Sequence, residues 1–195
     1  MTSTGRWGLD LAPGGLCLVQ DLVNTKSIDA AAEPDLLATA AGANRWLDDA
    51  LAVWSVRTDQ PAPKLHLTAE DLPSLRNSRA DVAAWLAGAA PSTAAPRTLR
   101  VVLKDGRIEY APASGGADGL AALVEAELLL ASHTRVGDRL KTCANPECGA
   151  CFFDASRNSS RVWHDVKACG NVANLRASRA RRRAVATPDG PLPSP

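Results

Sequence analysis

The 195 residues, 46% hydrophobic and 22% charged, are enough for one full domain with a small appended module, or for two small domains. No apolar run reaches the roughly 20 residues of a membrane-spanning helix, and the opening MTSTGRWGLD lacks the basic leader and hydrophobic stretch of a secretory signal, so a cytoplasmic protein with no membrane partner is expected. The net charge of +1 is unevenly spread: residues 1–134 carry 11 Lys/Arg against 16 Asp/Glu, whereas residues 135–183 carry 11 against 4, which points to an anionic partner for the C-terminal part, most simply nucleic acid.

Aromatic residues make up only 4%, while alanine and leucine dominate the apolar fraction, a balance that favours helix over sheet. In chain order, LCLVQDLVNT (16–25) follows the Gly14-Gly15 turn and reads as a strand. From Pro34 the spacing turns helical, with Leu36, Leu37, Trp46, Leu47, Leu51 and Trp54 three and four apart and Gly42 dividing the stretch into two helices. The segment Asp59 to His66 is a proline-rich connection. Thr68 with Asp71 opens a third helix in capping-box style, burying Leu72, Leu75, Val82, Trp85 and Leu86 and ending near Gly88. Residues 89–97 are a linker. TLRVVLKDGRIEYAP then reads as a β-hairpin turning at Asp105-Gly106, where both positions tolerate positive φ. After a loop at 114–119, a helix over about 120–134 carries Leu123, Val124, Leu128 and Leu130. The fold class expected is α+β: a mainly helical domain with a small sheet over 1–136, a small β-hairpin-plus-helix module over 137–184, and a disordered tail over 185–195.

Five cysteines are present; Cys17 stands alone and Cys143, Cys148, Cys151 and Cys169 crowd together. In a reducing compartment such a cluster is more often a metal site than a disulfide framework. Cys143-x4-Cys148 flanks a turn favoured by Asn145-Pro146, and His164-x4-Cys169 forms a second pair after a spacer of fifteen residues. Two local pairs of this kind suit one tetrahedral, structural zinc ion held by Cys143, Cys148, His164 and Cys169. Cys148 also forms a Cys-x2-Cys pair with Cys151, but Cys151 begins the apolar run CFF and suits a packed strand. The alternative keeps His164 as a surface residue and completes the site with Cys151, or leaves zinc on three cysteines.

CANPEC, FFDASRNSSRVWH and CGN together resemble the CGNR zinc finger, matching its pattern at Cys143, Cys148, Phe152, Asp154, Ser156, Asn158, Arg161, Trp163, Cys169, Gly170 and Asn171. Two departures stand out: His164 replaces a cysteine, and Val172 replaces the signature arginine, removing a cation from the face that would meet DNA. LCLVQDLVNT and Arg45-Trp46-Leu47 resemble, more weakly, the ABATE domain that precedes such fingers. The resemblance implies a stress-responsive transcription regulator whose N-terminal part senses a small-molecule effector or forms a homodimer, and it permits a ligand pocket at Asn24 and Trp46.

If GNVANLRASRARRR is a helix, Arg176, Arg179, Arg182 and Arg183 mostly share a face, and Leu175 turns toward the zinc module. With Arg157, Arg161, Lys167 and Asn174 they form the candidate nucleic-acid surface, since the guanidinium fork suits phosphate and guanine. DNA is the expected partner, with RNA as an alternative. No fixed carboxylate pair, nucleotide-binding glycine loop or nucleophile elbow is present, so no enzymatic activity is expected. Two other classes compete: a zinc-stapled protein-interaction module, and a small-molecule-binding protein with a polar pocket in residues 1–136.

Overall fold

The computed structural model describes residues 2–89 and 95–185. Over the described residues it is an α+β fold of five α-helices and two small antiparallel sheets. The expected disordered tail, apart from Val185, and the middle of the expected linker lie outside the described residues.

The segment expected as a strand is instead a helix, α1 (Leu16–Val23), and every one of its residues is buried. A short run that is buried all round has no exposed face to reveal its period, so strand and buried helix look alike in sequence. Helices α2 (Ala40–Thr58), α3 (Asp71–Leu86) and α4 (Gly116–Ser132) pack around it. The two polar residues inside α1 are spent on neighbouring chain. Asp21 Oδ1 accepts from the Thr4 amide at 2.7 Å, and Oδ2 accepts from Trp46 Nε1 at 2.9 Å. Gln20 Oε1 accepts from the Ala12 amide at 2.6 Å, while its Nε2 donates to the Asp10 carbonyl at 3.1 Å.

Gly42 does not divide α2. It lies in the first turn, where its amide donates to the N-cap Thr39 hydroxyl at 3.1 Å, and Leu36 and Leu37 belong to the turn before the helix. The carboxylate of Asp71 accepts from the Thr68 amide at 2.8 Å, the reciprocal half of a capping box. Trp85, expected in the core, is 41% exposed. The core proper comprises α1 with Leu47, Leu51 and Trp54 of α2, Leu72 and Leu75 of α3, and Leu120 and Leu123 of α4.

The hairpin forms as read. Strands β1 (Leu99–Lys104) and β2 (Arg107–Pro112) pair with Lys104 opposite Arg107, and Asp105 and Gly106 take φ of 50° and 76°, as a type I′ turn requires. It is tied to the helices by Tyr110, which packs edge-on against Trp54 at 5.9 Å and donates its hydroxyl to Glu127.

A second hairpin, β3 (Leu140–Thr142) with β4 (Cys151–Phe153), leads to the last helix, α5 (Asn171–Val185). Leu140 and Cys151 belong to the same core cluster as α1, with Phe153 packed against it. Asn24, at the end of α1, is buried and holds both backbone groups of Cys151: its Nδ2 donates to the carbonyl at 2.8 Å and its Oδ1 accepts from the amide at 2.8 Å. Among the described residues no helix is long and apolar enough to cross a membrane.

Asn24→Ala therefore leaves the amide and carbonyl of Cys151 without that partner. The expected cost is about 2 kcal/mol of unfolding free energy, read by urea denaturation of the zinc-loaded protein. An unchanged midpoint would show that this pairing contributes nothing.

Candidate metal centre

Three turns deliver the four donors. In the first, the carbonyl of Asn145 accepts from the amides of Cys148 and Gly149 at 2.9 and 3.2 Å, and the Cys143 amide donates to the Ala150 carbonyl at 2.8 Å. This folds Cys143 and Cys148 around a tight loop. Gly149 sits at φ +59°, and a β-carbon there would lie 2.5 Å from Lys26 Nζ, so glycine serves both the turn and the approach of that lysine. The second turn brings in His164: the Val162 carbonyl just before it accepts from the Ala144 amide at 2.8 Å. The third is one turn of π-helix over Val166–Gly170, capped by Asp165, which accepts from the Ala168 amide at 2.9 Å; it carries Cys169.

The donor atoms of Cys143, Cys148, His164 and Cys169 all lie within 4.8 Å of one another. Zinc bonds of about 2.3 Å to sulfur and 2.0 Å to nitrogen imply donor separations of about 3.5–3.8 Å in a tetrahedron. His164 Nδ1 lies 3.3 Å from Cys148 Sγ and 3.7 Å from Cys169 Sγ. Distance and donor chemistry both fit one structural zinc ion, which would tie three separate turns together. Burial and the neighbouring Cys143 and Cys169 push the Cys148 thiol up to about 12. A divalent cation relieves such crowding, because it stabilises the thiolates that burial alone disfavours. Burial also lowers His164, which keeps its imidazole in the neutral, metal-binding form.

Cys151 takes no part. It is completely buried in the main core, and burial holds its thiol far above the ordinary range. The Cys-x2-Cys spacing with Cys148 is thus a coincidence of strand β4 following the loop.

Two residues that spacing could not suggest complete the surroundings. Trp7 packs with the cluster that contains Cys143 and Cys169, meets the His164 ring edge-on at 6.2 Å, and donates Nε1 to the Asn24 carbonyl at 3.1 Å. Lys26 donates its ammonium to the Cys148 carbonyl and lies 5.4 Å from the centre of the Trp7 ring. Three thiolates and one imidazole around zinc leave one negative charge, and Lys26 is the cation beside it. Burial lowers its pKa, while the Cys148 and Cys143 thiols pull the other way. Both residues lie more than 100 positions before the ligands they serve, and no local pattern marks them.

Asp154 was visible only as one letter of a motif. It is completely buried, and its Oδ2 accepts from Lys141 Nζ at 2.9 Å and the Arg161 amide at 2.8 Å, while Oδ1 accepts from the Ser156 amide at 3.0 Å. Burial alone would raise this carboxyl, but the bonds from Ser156, Lys141 and Arg161 outweigh it and hold the pKa well below the usual range.

The expected nucleic-acid residues divide into two groups. Arg161, although exposed, has partners within the module: its guanidinium donates to the His164 carbonyl and lies 5.4 Å from the centre of the Phe152 ring. Arg176 is paired with Glu147. Arg157, Lys167, Asn174, Arg179 and Arg182 are exposed, as is Arg181. Arg183 lies on α5 by its backbone. Leu175, expected to turn inward, is 52% exposed. Asn24 and Trp46, suggested as pocket residues, are buried and hydrogen-bonded to Cys151 and Asp21. A cavity of about 530 Å³ instead lies between α3 and α4, among Val82, Trp85, Val124 and Leu128.

Lys26→Met should raise the zinc dissociation constant about 10-fold, measured by competition with a chromophoric chelator; an unchanged constant would remove Lys26 from the metal's surroundings. For Asp154 the sign follows from its depressed pKa: its contribution is complete above the unfolded-state value near 4 and fades as pH falls toward the folded one. Asp154→Asn removes the counter-charge of the Lys141 ammonium, leaving it the carbonyls of Ser159 and Arg161, and should cost about 2 kcal/mol at pH 7, seen in chemical denaturation with zinc in excess.

In comparison with known proteins, no curated protein matches the chain. Residues 139–182 match the CGNR zinc finger family, a span that contains all four donors, Asp154 and most of α5.

Proposed function

We propose that this protein is a non-enzymatic, cytoplasmic transcription regulator whose zinc finger binds DNA through α5 and the loop before it. In this reading residues 1–136 form an ABATE-type domain that senses an effector or dimerises. The observation that carries it is the placement of cations. Helix α5 starts two residues after the ligand Cys169, so its first turn is anchored at the metal site. Beyond that anchor, Arg179, Arg181 and Arg182 are exposed and make no ion pair among the described residues. A rigid origin and a free cationic flank are what phosphate contacts need, and Arg157 and Lys167 extend the same charge toward the metal site. Arg161 and Arg176 are left out of the contact surface because each already has a protein partner.

One observation favours a second reading. Val162, Val166, Val172 and Leu175 are all exposed, by 48%, 57%, 38% and 52%, so the module also presents apolar surface that a protein partner would cover. Val172 stands where the signature arginine is expected, which strengthens that side.

The two readings separate by substitution in the full-length, zinc-loaded chain. If DNA is the partner, fluorescence anisotropy shows binding to a mixed-sequence duplex that weakens steeply with salt. Arg179→Glu with Arg182→Glu then lowers the slope of log affinity against log salt by about 2 and leaves zinc content intact. Absence of binding at low salt by the unaltered chain would overturn the proposal, leaving Leu175→Asp as the variant to test for loss of a protein partner.

A further inference from the structure

We propose that the open edge of β1 is a self-association edge, along which two copies of this chain join their hairpins into one four-stranded antiparallel sheet. This gives the dimerisation suggested for residues 1–136 a specific surface. It is tested without DNA, so its failure and that of the DNA reading are separable.

The two edges of the β1–β2 hairpin are treated differently. On β2 the outward backbone groups are covered: Gln60, just past the end of α2, donates its side-chain Nε2 to the Ile108 carbonyl at 3.1 Å and accepts at Oε1 from the Tyr110 amide at 3.0 Å. Arg107 adds a bond to the Asp59 carbonyl at 3.0 Å. That side-chain amide acts as a third strand one residue long. It also fixes which groups point outward, because Ile108 and Tyr110 face Gln60 while their neighbours pair with β1. By the alternation of an antiparallel ladder, the outward residues of β1 are those opposite them and opposite Pro112, namely Leu99, Val101 and Leu103. Their amides and carbonyls have no partner among the described residues.

The same three side chains share the sheet face that holds Tyr110 against Trp54, but toward the turn that face overhangs the helices. Val101, Leu103 and Ile108 are 67%, 76% and 64% exposed. Free backbone groups next to exposed apolar side chains are the recognised requirement for strand addition.

The occupant follows from the register. A two-fold antiparallel pairing must place one residue opposite its own copy. Centred on Val101, it sets Leu99 opposite Leu103 of the second copy and Arg100 opposite Val102, so all three outward residues bond, the apolar face continues across the join, and no like charges meet. Arg100 then lies next to the partner Val102, with Glu109 of the same copy directly beyond it. Centring on Leu99 brings Val101 against Arg97, and centring on Leu103 brings it against Asp105 in the turn. Centring on Arg100 sets that arginine against its own copy, and centring on Val102 sets Arg100 against Lys104, so like charges meet in both. The register centred on Val101 is the one that avoids these conflicts, and it uses all three outward residues.

The test is sedimentation velocity and light scattering on the full-length, zinc-loaded chain over roughly 1 to 300 µM, the range in which small interfaces assemble. The unaltered chain should pass from monomer to dimer, while Val101→Lys, an exposed position facing its own copy, should stay monomeric with an unchanged circular dichroism spectrum and zinc content. Val101→Cys should form a disulfide to its own counterpart under mild oxidation, located by peptide mass. A chain that stays monomeric throughout, a dimer that survives Val101→Lys, or a dimer whose Val101→Cys form does not cross-link would each overturn the proposal.

Discussion

The carboxamide of Asn24, closed on both backbone groups of Cys151, is the contact on which the rest of the molecule depends. Strands β3 and β4 have three residues each, far too few for an isolated hairpin to be stable in water. Asn24 makes β4 a continuation of the α1 neighbourhood, and Leu140, Cys151 and Phe153 then add their side chains to the main core. The other end of the hairpin carries Cys143 and the loop to Cys148. The segment is therefore held by the core at one end of the hairpin and by the four-donor set at the other.

That arrangement explains why residues distant in sequence surround the metal site. Trp7 reaches the His164 ring because its indole is fastened to the carbonyl of the same Asn24. Lys26, two residues after Asn24, reaches the Cys148 carbonyl over Gly149. The N-terminal segment thus supplies shielding and positive charge to a donor set that carries excess negative charge once metallated. Asp154 plays the matching part from within, gathering Lys141, Ser156 and Arg161 so that the chain between β4 and His164 follows one path.

The cations of the C-terminal part fall into a paired and an unpaired set, and this division constrains any functional reading more than the net charge does. Lys141, Arg161 and Arg176 meet carboxylates, carbonyls or a ring of the module itself, so part of the positive excess is structural. What remains available lies along α5 and the preceding loop. The apolar residues beside it, Val172 and Leu175, are exposed because α5 packs substantially only on the π-helical turn that begins it.

The sequence by itself determined the β1–β2 hairpin, the Thr68–Asp71 bond that precedes α3, the four zinc donors and the basic helix, because each of these is encoded in residues close together. Asp105-Gly106 dictates its turn, and Cys143, Cys148, His164 and Cys169 lie in two pairs whose spacing reflects local loop geometry. Only the tertiary structure decided that 16–23 is a helix, since complete burial erases the periodicity that separates helix from strand. It likewise decided that Trp85 and Leu175 are exposed, that Asn24 and Trp46 are hydrogen-bonded in the interior, and that Arg161 and Arg176 are engaged. Most of those outcomes turn on which other element arrives beside a residue, as when Asn24 meets Cys151 across 127 positions, and such a partner leaves no trace in the residue's own neighbourhood of the chain.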